Sequence, residues 1–312
     1  MLTRRAAVAA VGAALATGPR MARAQAAPVR LGLTRSDAQL AVECAAELGM
    51  FRDAGLDVDV QTLGNSGLVM SGVIAGALDV GICDDIQLGN AVLRGIPVAG
   101  FAGGALFTVA EPTLVLVSLK SGPVRVAKDL NGQTVAVVQL ASQSSVAATE
   151  WLRTHGADVA QVKLYEMPLA QMMPALGRGL VAAAFLGEPY LSAAKDDLVF
   201  LGVPFEAIAK TFYINTYFAM RGWIANNRDT VRRLAGALYA SARWTNAHRV
   251  ESAAIEARWM KIDPDRLSTM ARNTFATTLE ARYYQPVLDI ASRYHLLPTP
   301  LAAAQMMAAV NG

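Results

Sequence analysis

Short apolar strands and longer stretches with helical spacing alternate along much of the chain. Residues 29–33 form an apolar run, residues 56–61 alternate apolar with polar positions, and residues 78–83 are again apolar. Helix-like stretches between them end at Gly49 and Gly76, where glycine suits the left-handed conformation of a helix end. This order of strand, helix, strand, helix and strand predicts an α/β fold with a mainly parallel sheet flanked by helices.

The same order of elements recurs further along and predicts a second lobe. Its strands are predicted in an apolar run after Gly179 and at residues 114–119, 134–139 and 162–165. An aromatic-rich extended stretch over residues 211–223 is expected to return to the first lobe. From Asn227 onward the pattern predicts helices, with a break at Asp263-Pro264.

Two lobes therefore follow from the pattern, the second inserted into the first. Lobe one is predicted from residues 27–111 and 217–312, and lobe two from residues 112–216. Two crossings between the lobes, near residues 110–116 and 212–219, are predicted to form a hinge.

One phrase occurs twice, 103 residues apart, as Gly76 to Asp85 and as Gly179 to Glu188. Each copy contains a glycine, an apolar strand and then an acid, and the ungapped alignment sets Asp85 opposite Glu188. Ligands of open α/β sheets bind beyond the carboxyl ends of the strands. The repeat therefore predicts a small-molecule site between two similar lobes.

Turns that lead from a strand into a helix supply the candidate ligand-binding residues, because helix N-termini leave backbone N–H groups free. The candidates are Thr34, Arg35, Ser36, Asn65, Ser66, Asp84, Asp85, Ser142, Ser144, Ser145, Glu188 and Tyr190.

Structural alternatives stay open for several of these residues. Ser36 and Asp37 suit helix caps, and one of Asp84 and Asp85 is expected to cap its helix while the other faces the cleft. Residues 65–67 also suit an ordinary turn, and Arg35 suits an exposed position. The serines at 142, 144 and 145 are denser than capping requires, which favours at least one as a ligand donor. Glu188 follows a fully apolar strand, which places a carboxylate at the rim of a buried sheet.

Motifs for catalysis or metal binding are missing from the sequence. His155, His248 and His295 are dispersed, and neither a nucleophile elbow nor a phosphate or dinucleotide loop occurs. We predict that the protein is not an enzyme and holds no cofactor or metal.

The first 26 residues have the pattern of an export signal. Arg4 and Arg5 precede an uncharged run over residues 6–17, and Ala24-Gln25-Ala26 fits a cleavage site. The arginine pair leaves the twin-arginine and general export routes open. Without the four arginines of this segment the formal net charge of +3 becomes −1, which gives no basic bias toward nucleic acid or anionic lipid. The later uncharged run over residues 96–110 is too short to span a membrane, so we expect the exported protein to be soluble. With the export signal, this predicts a periplasmic protein, which we expect to be monomeric.

Cys44 and Cys83 are the two cysteines of the chain. An oxidising compartment would permit a disulfide between them, while their helical and strand contexts suit two packed free thiols equally well.

Several phrases resemble one family of transport proteins. They lie at residues 47–58, 75–81, 129–137, 187–190 and 244–246. With them the chain from about residue 28 to residue 250 resembles the solute-binding proteins of ABC importers in the nitrate, sulfonate, taurine and thiamine-pyrimidine-precursor group. That group has the type II periplasmic-binding-protein fold.

The resemblance implies a two-lobed receptor that closes on a small molecule and delivers it to a membrane permease with its ATPase. The candidate turns correspond to ligand-facing segments of that family. Sulfonate or nitrate would suit the serine turn and Arg35, but Asp84 and Glu188 would raise the local negative potential. A zwitterion such as taurine, or an aminopyrimidine, would satisfy both, with N–H groups at the acids and oxygens at the helix ends. We therefore expect a small organic nitrogen compound with at least one hydrogen-bond donor.

Two other functions remain as alternatives. One is a ligand-sensing partner of a membrane receptor. The other is an enzyme of thiamine-precursor synthesis with the same fold, a branch that needs lysine and histidine chemistry and a cysteine-rich segment.

Overall fold

The structure is a computed structural model that describes residues 27–263, 267 and 270–308. The predicted export signal, residues 1–26, lies outside the described residues, as does Pro264 of the predicted helix break. Within the described residues, no helix has the length and apolar character needed to cross a membrane.

Strands occur throughout the first two thirds of the described chain, with one short strand later. They are β1 Val29–Leu33, β2 Val58–Thr62, β3 Val80–Cys83, β4 Val98–Gly103, β5 Ala105–Thr108, β6 Leu114–Leu119, β7 Thr134–Val137, β8 Lys163–Glu166, β9 Ala183–Gly187, β10 Leu198–Gly202, β11 Thr211–Tyr213, β12 Thr216–Met220 and β13 Thr274–Phe275.

Helices separate most of these strands and make up most of the chain after residue 220. They are α1 Leu40–Glu47, α2 Met50–Asp53, α3 Ser66–Ile74, α4 Asp85–Leu93, α5 Gln143–Thr154, α6 Leu169–Gly177, α7 Tyr190–Ala194, α8 Arg221–Asn226, α9 Arg228–Ala247, α10 Arg249–Met260, α11 Ala281–Arg293 and α12 Ala303–Met306.

Two five-stranded sheets of matching order form the framework. Sheet one runs β2-β1-β3-β12-β4, and sheet two runs β8-β7-β9-β6-β10. Sheet one takes its strands from residues 29–103 and 216–220, and sheet two from residues 114–202. The residue boundaries between the two lobes stay predictions.

The sheets are mixed, but four of the five strands in each sheet run in one direction, as the expectation of mainly parallel sheets requires. In each sheet two neighbouring strand pairs are parallel and two are antiparallel. The antiparallel pairs involve β6 and β12, the strands that begin within the two predicted crossings. Both enter their sheet from the opposite end to the strands of the strand-helix-strand units, which reverses their direction.

The two copies of the repeated phrase occupy equivalent places. β3 and β9 lie at the centre of their sheets, and both strands are buried along their whole length. Gly76 and Gly179 precede them with φ of 73° and 68°, in the left-handed region that glycine adopts without steric cost. Each glycine therefore ends the preceding helix and turns the chain into a central strand.

A third, small sheet of order β11-β5-β13 lies beside the two large ones and was not predicted. Phe107 of β5 and Phe212 of β11 pack on Phe205, which also contacts Phe185 of β9, with ring centroids 5.0–5.4 Å apart. These edge-to-face contacts join the small sheet to sheet two in a buried aromatic cluster.

Cys44 and Cys83 are both free and buried, so the structure contains two packed thiols. Burial raises the pKa of Cys44 to about 11 and that of Cys83 well above its ordinary value, which keeps both protonated near neutral pH.

Candidate functional site

An open cavity lies between the two large sheets, beyond the carboxyl ends of β1, β3, β7 and β9. Its empty volume is about 900 Å³ with the mouth included. It is lined by Thr34, Ser36, Asp37, Ala38, Gln39, Ser66, Ile82, Cys83, Asp84, Thr113, Leu114, Val138, Gln139, Ser142, Gln143, Ser144, Leu169, Glu188, Phe205, Ile214, Asn215 and Asn273.

A wider outer cleft of about 1530 Å³ adjoins this cavity and shares several of its residues. Arg35, Asn65 and Tyr190 line the outer cleft only, and Asn65 also caps α3 by accepting from the N–H of Leu68 at 2.9 Å. Ten of the twelve candidate residues therefore line the cavity or the outer cleft. The two that line neither are Asp85 and Ser145.

Asp85 points away from the cavity into the core of lobe one. It is fully buried, and its carboxylate accepts a hydrogen bond from Thr216 Oγ1 of β12 at 2.7 Å. Burial raises the pKa of Asp85 well above its ordinary value, and the neighbouring Asp84 raises it further. Asp85 holds α4 against the central strands.

Asp84 caps α4 and also reaches the opposite lobe. Its Oδ1 accepts from the N–H of Ile86 at 2.8 Å, and its Oδ2 accepts from the N–H of Gln143 at 3.0 Å. Burial raises the pKa of Asp84 to about 6, although these backbone N–H groups favour the charged form. The expectation that one acid of the pair caps the helix is met by Asp84, which is also the acid that faces the cavity.

Glu188 lies on the opposite wall, at the end of β9 and before a cis peptide bond to Pro189. Its two carboxylate oxygens accept from the N–H of Ser192 at 3.1 Å and from Ser192 Oγ at 2.8 Å. Burial raises the pKa of Glu188 above its ordinary value. The cavity thus has a carboxylate on each of its two walls.

The hydroxyl groups of the cavity direct their hydrogens into the protein. Thr34 and Ser36 both donate to Gln39 Oε1, at 3.1 and 3.0 Å, and Ser66 donates to Gln139 Oε1 across the cleft at 3.3 Å.

The serine turn before α5 behaves in the same way. Ser142 and Ser144 lie within hydrogen-bond reach of the Gln139 carbonyl, at 2.7 and 3.2 Å, and of each other. Ser145 Oγ donates to the Ser142 carbonyl at 3.0 Å and accepts from the Ser142 N–H, so it stabilises the turn without lining the cavity. At least one of the three serines is predicted to be a ligand donor, and in the structure their hydroxyl hydrogens bond within the turn.

A third carboxylate, Asp37, reaches the cavity as part of a buried cluster that sequence reasoning missed. Asp37 accepts from Asn273 Nδ2 at 2.5 Å, and its Oδ1 lies 3.7 Å from Arg272 Nε. Arg272 in turn pairs with Glu256 of α10 at 2.8 Å.

Two buried acids thus share one arginine in this cluster. Burial raises the pKa of Asp37 above its ordinary value and that of Glu256 to about 8, so one of the two retains a proton near neutral pH. The sequence places Asp37 at the end of a candidate turn, with a helix cap as the alternative, and does not single it out as a ligand-binding residue. Its partners lie more than 200 residues away, as the separation of 236 between Asp37 and Asn273 illustrates, and no local pattern marks them.

Among the described residues, no basic side chain lines the cavity, and no group of three or more histidine, cysteine or acidic side chains is placed to hold a metal ion. Arg35 is confined to the outer cleft, and Arg272 lies behind Asp37. The charged residues that line the cavity are therefore all acidic, namely Asp37, Asp84 and Glu188.

Comparison with known proteins agrees with this architecture. The model of the NMT1/THI5-like family matches residues 40–252. A protein of Brucella abortus (strain 2308), described as a candidate binding protein, is 22% identical over 280 residues, which cover 87% of this chain and 83% of the relative.

Solved structures share the fold at low sequence identity. The alkanesulfonate-binding protein SsuA from Xanthomonas axonopodis pv. citri, bound to MOPS, superposes with a TM-score of 0.74 at 17% identity, covering 91% of this chain and 99% of that one. The periplasmic nitrate-binding protein NrtA from Synechocystis PCC 6803 gives 0.71 at 14% identity, covering 88% and 83%. The predicted two-lobed periplasmic-binding-protein fold is confirmed.

Proposed function

Because the chain belongs to the NMT1/THI5-like family, we propose that it is the exported solute-binding protein of an ABC uptake system. It binds a small molecule between its lobes in the periplasm and delivers it to a membrane permease and ATPase. The export pattern of residues 1–26 and the described character of its relatives as binding proteins support this role.

The ligand acts by stabilising the closed arrangement of the lobes. Hydrogen bonds already cross the cleft from Asp84 to Gln143 and from Ser66 to Gln139. A ligand shifts an equilibrium between open and closed lobes only by binding one state more tightly than the other. A molecule that contacts Asp84 on one wall and Glu188 on the other would do so.

The ligand we propose is a small organic nitrogen compound that donates hydrogen bonds, such as an amine or an aminopyrimidine. The acidic lining of the cavity, with no basic side chain among the described residues, is the observation that carries this choice. Asp37, Asp84 and Glu188 line it, and its serine and threonine hydrogens are directed into the protein. Ligand N–H groups that donate hydrogen bonds complement such a surface, and a positive charge on the ligand would strengthen binding further.

An anionic ligand is the second candidate, because structural neighbours bind alkanesulfonate and nitrate. A zwitterion such as taurine would satisfy both requirements, with its ammonium group at the acids and its sulfonate near Arg35 in the outer cleft.

A thermal-shift screen tests the ligand class. Amines, aminopyrimidines and taurine are compared with nitrate and propanesulfonate, using wild type, Glu188→Gln and the control Glu251→Gln on the exposed face of α10. At about 100 times its Kd, a ligand contributes about 2.7 kcal/mol, which raises Tm by roughly 5–10 °C.

We expect this rise for a nitrogen compound with wild type and the control, and a much smaller rise with Glu188→Gln. Stabilisation by nitrate or simple sulfonates alone, unchanged in Glu188→Gln, would overturn the proposed ligand class.

A further inference from the structure

Two helix N-termini from opposite lobes converge on the carboxylate of Asp84. It accepts from Ile86 in the first turn of α4 at 2.8 Å and from Gln143, the first residue of α5, at 3.0 Å. A helix N-terminus ordinarily attracts anions, because its first N–H groups lack partners within the helix and its dipole is positive there. At the N-terminus of α5 this anion is the side-chain carboxylate of Asp84, from the same protein.

Gln143 strengthens the acceptor character of this corner. Its side-chain Nε2 donates to the Tyr213 carbonyl at 2.9 Å, and its backbone N–H is taken by Asp84. Its Oε1 is buried and has no hydrogen-bond partner among the described residues, although the side chain lines the cavity. A buried oxygen without a partner favours a ligand that donates to it.

The serine turn contributes acceptors as well. The hydroxyl hydrogens of Ser142 and Ser144, which both line the cavity, are used on the Gln139 carbonyl or on each other, so a ligand there finds these oxygens as acceptors. At Gln143 the start of α5 therefore presents the Asp84 carboxylate and the Gln143 Oε1 acceptor where a helix start usually presents a free N–H donor.

We propose that Asp84 is a specificity-determining residue that occupies the N-terminus of α5 and so excludes anionic ligand groups from it. A sulfonate, nitrate or carboxylate reaches the Gln143 N–H only by displacing Asp84, and it then meets a like charge at close range. An N–H donor is accepted at the same place by Asp84 and Gln143 Oε1. This inference rests on the proposed function only for the location of the ligand.

Electrostatic repulsion strengthens the exclusion. Like charges in contact repel more strongly at the reduced effective dielectric of a partly buried site than in water, and Glu188 adds a second acidic group to the cavity. Neutralising Asp84 removes the nearer repulsion and frees a backbone donor for the anion.

Asp84→Asn is the sharpest test, with propanesulfonate and nitrate as the probes in isothermal titration calorimetry. An asparagine carbonyl still accepts from Ile86 and keeps the cap, whereas its amide nitrogen cannot accept from Gln143. We expect the affinity for at least one probe to rise at least tenfold over wild type.

Asp129→Asn is the matched control, because Asp129 also accepts from two backbone N–H groups, those of Arg125 and Val126 at 2.8 and 3.0 Å. It lies outside the cavity and the outer cleft, so its change should leave the affinity for both probes as in wild type. Asp84→Ser is a second test variant, since serine caps a helix well and is too short to reach Gln143.

The outcomes separate this inference from the proposed function. A gain of anion binding in both Asp84 variants supports the inference, even if wild type binds no nitrogen compound in the same experiment. If both variants stay folded by circular dichroism and gain nothing, or if wild type already binds the anions as tightly, the inference is overturned. Binding of nitrogen compounds by wild type would leave the proposed function standing in that case.

Discussion

The turns that follow the central strands β3 and β9 have similar backbone surroundings but differ in the contacts that their acidic side chains make. Both follow a glycine with positive φ and a fully buried central strand. After β3 the chain continues with Asp84 and Asp85 into the nine-residue helix α4. After β9 it continues with Glu188 and Pro189 into the five-residue helix α7.

The side-chain partners show the difference. Asp85 bonds to Thr216 inside lobe one, Asp84 reaches across the cleft to Gln143, and Glu188 bonds to Ser192 within lobe two. The ungapped repeat pairs Asp85 with Glu188, whereas the cavity pairs Asp84 with Glu188. The acids that face the cleft after the two equivalent strands, Asp84 and Glu188, are therefore offset by one residue in the repeat. Asp85, the remaining acid, has a structural role in lobe one.

Replacing Asp85 should have the largest effect on stability. Asp85→Ala leaves Thr216 Oγ1 without its buried partner and opens a small cavity, so we expect a loss of about 2–4 kcal/mol in the free energy of unfolding. Urea denaturation followed by circular dichroism measures it.

Glu188→Ala is the matched change in the other turn. Its carboxylate bonds to Ser192 in the short α7, and we expect a loss of about 1 kcal/mol or less. Equal losses for the two variants would contradict the division into a structural acid and a cavity acid.

Replacing Gly76 or Gly179 by alanine should have the smallest effect on the free energy of unfolding, and nearly the same effect at the two sites. A Cβ on Gly76 or Gly179 meets nothing within 4 Å, so alanine adds only the cost of the left-handed conformation, about 1 kcal/mol at each site. The same denaturation experiment checks this, and losses differing by more than about twofold would show that the two turns are not equivalent in energy.

Much of this frame could be predicted from local patterns. The strands at residues 29–33 and 114–119 follow from apolar runs, and the helix ends at Gly49 and Gly76 follow from the glycines themselves. Both signals act over a few residues. The cleft position of ten candidate residues follows from the rule that parallel strands bring their carboxyl ends to one edge.

Long-range contacts explain what the sequence left open. The two-residue strand β13 exists because it pairs with β5, about 170 residues earlier in the chain. Asp37, Arg272 and Asn273 likewise meet only through the tertiary fold. The repeat pointed to Asp85 as the counterpart of Glu188, whereas Asp84 faces the cavity, because the outcome depends on which acid meets Thr216 and which meets α5.

Mass-spectrometric identification of the small molecule that copurifies with the protein tests the central claim most directly. The protein is purified without denaturation as wild type and as Glu188→Gln, and the bound molecule is released by unfolding and identified. The cavity predicts a neutral, zwitterionic or cationic molecule with N–H donors, retained by wild type and lost or strongly reduced in Glu188→Gln. An anion without an N–H donor, retained equally by both proteins, would contradict the claim.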